Sequence, residues 1–407
     1  MIKAQFPAGH ANACRVSKRP TITVKPKEGR KARHGAPWIF SNEIVMDAAA
    51  KALASGALVN VKGDDGQDIG TGYFNVKSLI AVRLFSRACG TAIDAAFFSA
   101  RLARALALRQ SLYEKPFYRL VHAEGDGFPG FVLDRFGGTV VAQITTAGME
   151  NLLVPLKMAL EDVLAPEVII LRNDAPVREL EGLELYVRSE KGASGRIAVE
   201  ENGARYFTDL GQGQKTGWYY DQRDNRAFIA GLAKGKTLLD AYSYTGGFGI
   251  LAAKAGARET VCLDSSAAAL ALAEDSAAAN QVSIRAVKAD VFEEMERLAA
   301  EQETFDIVAA DPPPFVKSRK DLEPGAKAYR KLARLAASVT AKNGILCLAS
   351  CSHNMPAERF AAECAAGILR SGRQARIIRS ACASPEHPVH PMLPETAYLK
   401  ALVFALD

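Results

Sequence analysis

The stretch Thr237-Leu-Leu-Asp-Ala-Tyr-Ser-Tyr-Thr-Gly-Gly-Phe-Gly249 decides the fold. It opens as a short apolar run ending in an acid and closes as a glycine-rich turn ahead of an alanine-rich segment, so it reads as buried strand, tight loop and helix. The pattern returns in Thr260-Val-Cys-Leu-Asp264, Phe305-Asp-Ile-Val-Ala-Ala-Asp311 and Ile345-Leu-Cys-Leu-Ala-Ser350, with helical segments between them. Strands alternating with helices over residues 193–407 predict an α/β domain built on a parallel sheet covered on both faces. Ligands of such sheets bind at the carboxyl ends of the strands. That places the site at Asp240, Asp264, Asp311 and Ser350-Cys351.

The loop narrows the ligand. Asp264 lies 24 residues past Asp240, where an acid holds both hydroxyls of a ribose, a spacing that suits NAD and S-adenosylmethionine alike. Tyr242 and Tyr244 stand where a GxGxxG loop has its first glycines, so no pyrophosphate cradle is evident and a cofactor without phosphates fits better. Asp290, in Ala289-Asp-Val291, either accepts a bond from an adenine amine or caps the following helix. Asp311-Pro312-Pro313-Pro314-Phe315 makes a rigid strand exit, because proline cannot continue a ladder and fixes its own φ. A planar base with an amine and a ring nitrogen finds a hydrogen-bond partner there; an incidental acid in a turn is the plain alternative.

Ser350-Cys351-Ser352-His353 leaves the next strand on the same edge. Cys262 and Cys347 are flanked by apolar strand residues and read as small hydrophobes, which leaves Cys351 as the candidate nucleophile. Carbon 5 of a pyrimidine is weakly nucleophilic. A thiolate adding at carbon 6 makes it enamine-like, so a thiol facing a cofactor methyl has a use. His353 either lowers that thiol's pKa or, the reading preferred, satisfies a loop carbonyl.

Upstream, Thr21-Ile-Thr-Val24, Ala57-Leu-Val-Asn-Val61 and Leu79-Ile-Ala-Val-Arg-Leu-Phe85 alternate as short strands and predict a small β-rich domain over 21–92. Residues 1–90 hold 14 Lys/Arg against 6 Asp/Glu, while the other 317 hold 37 against 39. The densest basic run contains Lys25, Lys27, Arg30, Lys31 and Arg33, with Trp38 and Phe40 close behind, a combination that suits RNA phosphates and base stacking. A solvated arm and a core Trp38 are the plain alternatives. Residues 96–115 read as a helix ending before Pro116. Strands at 130–136, 139–144, 168–172 and 183–187 with a helix near 149–164 then make a central α+β domain, 93–192, that shows no obvious chemistry.

A chain of 407 residues predicts two or three domains. Its 49% hydrophobic and 24% charged residues exclude a disordered or fibrous protein. No uninterrupted apolar run long enough to span a bilayer and no apolar signal region occur, so a cytoplasmic protein without membrane contact is expected. Seven cysteines without a CxxC pair suit neither a disulfide framework nor zinc, and no metal is expected.

Taken together, the motifs resemble the class I S-adenosylmethionine-dependent methyltransferases that make 5-methylcytosine in bacterial 23S ribosomal RNA. The resemblance runs from about residue 20 through His34-Gly-Ala-Pro-Trp-Ile-Phe-Ser-Asn-Glu43, Glu124-Gly-Asp-Gly-Phe-Pro-Gly-Phe-Val-Leu-Asp-Arg-Phe136 and Gly213-Gln-Lys-Thr-Gly-Trp-Tyr-Tyr-Asp-Gln-Arg223. It continues in Tyr244-Thr-Gly-Gly-Phe248, Asp311-Pro-Pro313, Ser350-Cys-Ser-His353 and Pro394-Glu-Thr-Ala-Tyr-Leu-Lys400, and departs at Pro314, where a residue such as Lys is usual. Residues 1–20 fall outside it.

The resemblance implies a PUA-like RNA-binding domain at 21–92 and a Rossmann-like methyltransferase domain at 193–407, with S-adenosylmethionine as cofactor and 23S ribosomal RNA as partner. It further implies that Cys351 is the covalent nucleophile and that Asp311 contacts the target cytosine. Asp240, Tyr242, Ser243, Tyr244, Gly246, Asp264, Ser265, Asp290, Asp311, Tyr219 and Asp221 are then expected at the cofactor, and Lys25, Lys27, Arg30, Lys31, Arg33 and Lys215 at the RNA. The 214–217 segment and Asp221 are expected to form a β-hairpin beside the cofactor. Two alternatives stay open: methylation of a guanine or adenine with Cys351 a bystander, and a non-catalytic RNA-binding assembly factor. A homodimer is also left open.

Overall fold

The computed structural model describes residues 19–211 and 216–407. The chain divides into two compact units, 1–92 and 93–407.

In the first unit five strands form one sheet in the order Thr21–Thr23, Ala57–Lys62, Asp68–Phe74, Val82–Ser86, Trp38–Ile39. Alternation of apolar and polar residues sends Ile22, Val24, Val59, Val61, Phe74 and Val82 into a single buried cluster. Lys25, Lys27, Arg30 and Lys31 are exposed. Arg33, expected at the RNA, is half-buried and its guanidinium lies 3.6 Å from Asp64 and 3.2 Å from Asp65, so it clasps the 63–67 turn. Trp38 is half-buried under the Arg83 guanidinium, 5.0 Å from its ring centre.

The second unit begins with the helix Ala95–Leu112, capped by the Asp94 carboxylate on the Phe97 amide and ending ahead of the expected Pro116 boundary. A five-stranded sheet follows, in the order Tyr186–Lys191, Val168–Asn173, Thr139–Ile144, Phe131–Phe136, Phe117–His122. The edge strand Phe117–His122 is not legible in the sequence, because its three consecutive buried residues spoil the alternation. A hairpin, Arg196–Glu201 with Ala204–Asp209, comes next. Its Val199 and Tyr206 share one apolar cluster with Val141 and Ile170 of the five-stranded sheet and with Ile250 and Ala273 of the helices beyond.

The remaining sheet has seven strands: β1 (Thr237–Ala241), β2 (Glu259–Asp264), β3 (Arg285–Lys288), β4 (Phe305–Ala310), β5 (Thr340–Ser350), β6 (Ala375–Ala381) and β7 (Lys400–Leu406). Their order is β3-β2-β1-β4-β5-β7-β6, with β7 inserted antiparallel between β5 and β6 and the first five strands mutually parallel. β1 and β4 are buried almost end to end, as strands covered by helices on both faces must be. The order reverses between β1 and β4, which opens a crevice above their carboxyl ends. Among the described residues no helix is long and apolar enough to cross a membrane.

Candidate active site

A cavity of about 490 Å³ occupies that crevice. Its wall includes Asp240, Tyr242, Ser243, Tyr244, Asp264, Ser265, Asp290, Asp311, Tyr219, Asp221 and Cys351, so the structure brings together eleven side chains singled out from the sequence. Among the described residues, five of those lining it are aspartates, whereas the single lining cation, Arg226, is spent on a 2.8 Å bond to Glu201. A wall of this sign attracts a cation and repels a pyrophosphate.

β1 delivers Asp240 to the floor. The side chain is buried, its Oδ2 accepts the Gly249 amide at 2.9 Å, and burial, with a further push from Asp311, raises its carboxyl to about 7. The chain then turns through Tyr242 and Tyr244 with φ of 61° and 50°, a left-handed conformation that glycine ordinarily adopts. The two tyrosines thus do the conformational work of the absent glycines while adding aromatic walls. Tyr244 donates its amide to Asp264 Oδ2 at 2.9 Å and its hydroxyl to the Gly217 carbonyl at 3.3 Å, holding the β1 loop against β2. Asp264 Oδ1 accepts from the Ser266 amide at 2.9 Å. Each oxygen retains a second acceptor position, enough for the two hydroxyls of a ribose.

Gly246 is not on the wall; with φ of 81° it starts the helix Gly247–Lys254. Asp290 caps the helix Val291–Ala300, its Oδ1 accepting the Phe292 and Glu293 amides, and the residue also lines the cavity.

The exits of β4 and β5 lie side by side. The Asp311 amide donates to the Ala241 carbonyl at 3.3 Å, and the Cys351 thiol faces the Pro312 carbonyl with sulfur 3.9 Å from oxygen. Beneath Cys351 runs a buried hydroxyl chain: Ser350 Oγ donates to Tyr329 Oη at 2.7 Å, Tyr329 Oη lies 2.8 Å from Ser352 Oγ, and Ser352 Oγ accepts the Val316 amide at 3.2 Å. This chain fixes the Cys351 backbone on both sides. Cys262 and Cys347 are wholly buried among apolar residues, and burial pushes the Cys347 thiol up to about 12, so they pack as hydrophobes. His353 stacks on Tyr398, ring centres 5.0 Å apart, so its ring has a packing role that neither sequence reading anticipates.

The loop after the hairpin closes the remaining side. Asp221 is not in a hairpin, as expected, but in the single turn Tyr220–Gln222; Gln214 and Lys215 lie outside the described residues. The Asp221 Oδ2 accepts from Tyr398 Oη at 2.6 Å, and its Oδ1 is buried without a partner among the described residues. Gln222 Nε2 and Ser243 Oγ are likewise buried with no partner among the described residues, and both belong to lining residues. One acceptor and two potential donors left in an acid-rich wall fit a molecule carrying an ammonium and a carboxylate beside a further positive charge. S-adenosylmethionine has that chemistry. Sequence reading misses Gln222, Tyr329 and Tyr398. Gln222 and Tyr398 sit in motifs with a signal, the 213–223 and 394–400 stretches, and Tyr329 does not.

The PUA-like domain family matches residues 22–87, and the S-adenosylmethionine-dependent methyltransferase family matches residues 192–405. A protein of Shewanella amazonensis named ribosomal RNA large subunit methyltransferase I is 36% identical over 395 residues, covering 94% of this chain and 99% of its own. One of the same name from Pseudoalteromonas atlantica is 34% identical over 389 residues, covering 94% and 98%. Among solved structures, a Streptococcus mutans chain described as a SAM-dependent methyltransferase superposes with a TM-score of 0.80 at 22% identity, covering 95% of this chain and all of that one. Another, a methyltransferase complexed with SAH, gives the same TM-score and identity.

Proposed function

This chain belongs to the family of the ribosomal RNA large subunit methyltransferase I proteins, S-adenosylmethionine-dependent enzymes with a PUA-like domain, and from that premise we propose that it methylates carbon 5 of a cytosine in 23S ribosomal RNA through a covalent cysteine adduct. The observation that carries the reading is the convergence of Cys351 and Asp311 on one wall of the acid-lined cavity.

When bound, S-adenosylmethionine supplies an electrophilic methyl group on a sulfonium. Asp221, Gln222 and Ser243 are the residues proposed to hold its amino-acid end, Asp264 its ribose, and Asp290 its adenine amine. Tyr219 and Tyr242 would flank it. Asp240 braces the loop from below, with Gly246 setting the turn and Ser265 at the rim.

A stacked cytosine hides carbon 6, so the target nucleotide must leave its helix to reach Cys351. Asp311, held rigid by the prolines behind it, accepts a hydrogen bond from the cytosine amine and orients the ring. The Cys351 thiolate forms a bond to carbon 6, and the displaced electron pair makes carbon 5 the nucleophile toward the methyl. The carbon 5 proton then leaves to a base, the 5,6 double bond returns, and the thiolate is expelled. The sum is a C–H bond exchanged for a C–CH3 bond with one proton released. Lys25, Lys27, Arg30 and Lys31 are proposed to add phosphate affinity without reading sequence.

Transfer of a labelled methyl group to unmodified 23S ribosomal RNA, with the nucleosides identified by mass spectrometry, tests this directly. The expected product is 5-methylcytidine. A methylated guanosine or adenosine would leave the family intact and overturn the cytosine.

A further inference from the structure

Lys400 is a charged group that the scheme above leaves unused. It opens β7 directly opposite Ser350, the last residue of β5, so its stem runs beside the exit that carries Cys351. The side chain is half-buried, and Nζ donates to the Ser352 carbonyl at 2.7 Å and to the Met355 carbonyl at 2.9 Å. Both acceptors are neutral and both belong to the turn that follows Cys351. They hold the ammonium in place without cancelling its charge.

Among the described residues, the other groups named against Cys351 are not cations. Asp311, from the β4 exit, is a carboxylate and opposes a thiolate. Tyr219, Tyr329 and Tyr398 come from three different elements, and burial raises all three phenols, which keeps them neutral at working pH. His353, on the same turn, is exposed and stacked on Tyr398. Burial pulls the Lys400 ammonium down to about 8, and the adjacent Cys351 pushes the other way. A cation kept in a half-buried place by neutral carbonyls, beside a thiol that must ionise, has an evident purpose.

We propose that Lys400 is the positioning residue of Cys351: it pins the 352–355 turn through two carbonyls and stabilises the thiolate that attacks the base. The inference rests on the reading of Cys351 as nucleophile.

The test is the pH dependence of Cys351 alkylation by iodoacetamide in the full-length protein, followed on the Cys351 peptide by mass spectrometry. Wild type should alkylate with a midpoint below the ordinary thiol value of about 8.5. Lys400→Met should move the midpoint upward and cut the rate at pH 7 by about tenfold, while Lys400→Arg keeps it low. Methyl transfer by Lys400→Met should be weak at pH 7 and recover toward pH 9, with unchanged cofactor affinity. A role in holding the turn alone would lower activity equally at every pH. A Lys400→Met midpoint equal to wild type overturns the proposal, and so, with no variant needed, does a wild-type midpoint at or above that of a free thiol. The two readings fail separately: methyl transfer by Cys351→Ala refutes the nucleophile, whereas a dead Cys351→Ala with an unmoved Lys400→Met midpoint refutes Lys400 alone.

Discussion

Asp240 is ionisable, buried and indispensable to its loop, and these three properties conflict. Its folded value of about 7 stands above its ordinary 3.8, so the folded protein favours the protonated form. The stability it contributes is present below about pH 4 and is lost as pH rises to about 7, at a rate on the order of 1 kcal/mol per pH unit. Asp240→Asn keeps an oxygen for the Gly249 amide and cannot ionise. Melting of the cofactor-free proteins should therefore show the variant gaining on wild type from pH 5 to pH 8; a difference that stays flat across this range would contradict the assignment. Strand-end acids such as this one are legible because an apolar run ending in Asp has one reading in a parallel sheet. Tyr329 and Tyr398 are not, because what makes them functional is a partner far off in sequence, as Tyr398 is to Asp221, and Gln222 is not, because its Nε2 stands out only once it is buried in the cavity wall. Arg33 escapes sequence reading for the same reason, its partners Asp64 and Asp65 lying in a turn some thirty residues on.

Among elements, the helix Gly247–Lys254 sets how closely the cofactor loop can approach the sheet. A Cβ on Gly249 would stand 2.6 Å from Cys262 Sγ on β2 and 3.5 Å from the Asp240 Cβ on β1. Gly249→Ala should push the helix outward, cost about 1–3 kcal/mol in chemical denaturation and weaken cofactor binding, as overpacking at a tight contact does. Wild-type stability in this variant would mean that the contact yields more readily than the geometry implies. From sequence, the glycines of the loop read as a route for backbone to approach a ligand. Gly249 instead lets a helix approach a strand. The parallel strands are readable from apolar runs, but the antiparallel insertion of β7 is not, since the run Lys400–Leu406 looks the same in either direction. Yet that insertion is what sets Lys400 opposite Ser350.

At the scale of the whole molecule, a basic β-rich unit precedes an α/β unit whose cavity is acidic. Substituting Lys25, Lys27, Arg30 and Lys31 together by Ala should weaken RNA binding uniformly across sequences and flatten its salt dependence by roughly 0.7 in log–log slope for each phosphate no longer neutralised, with cofactor affinity unchanged. An unaltered slope in a binding titration would remove these residues from the RNA. Arg33→Ala should act differently, lowering the stability of the first unit by loosening the 63–67 turn. The central claim is a covalent bond from Cys351 to cytosine. Fluorine at carbon 5 cannot leave as a proton, so RNA containing 5-fluorocytidine should trap wild-type protein with S-adenosylmethionine as a complex that survives denaturation. The adduct is predicted to map to the Cys351 peptide and to vanish in Cys351→Ala. An adduct on another residue, or methyl transfer by Cys351→Ala at the wild-type rate, would contradict it.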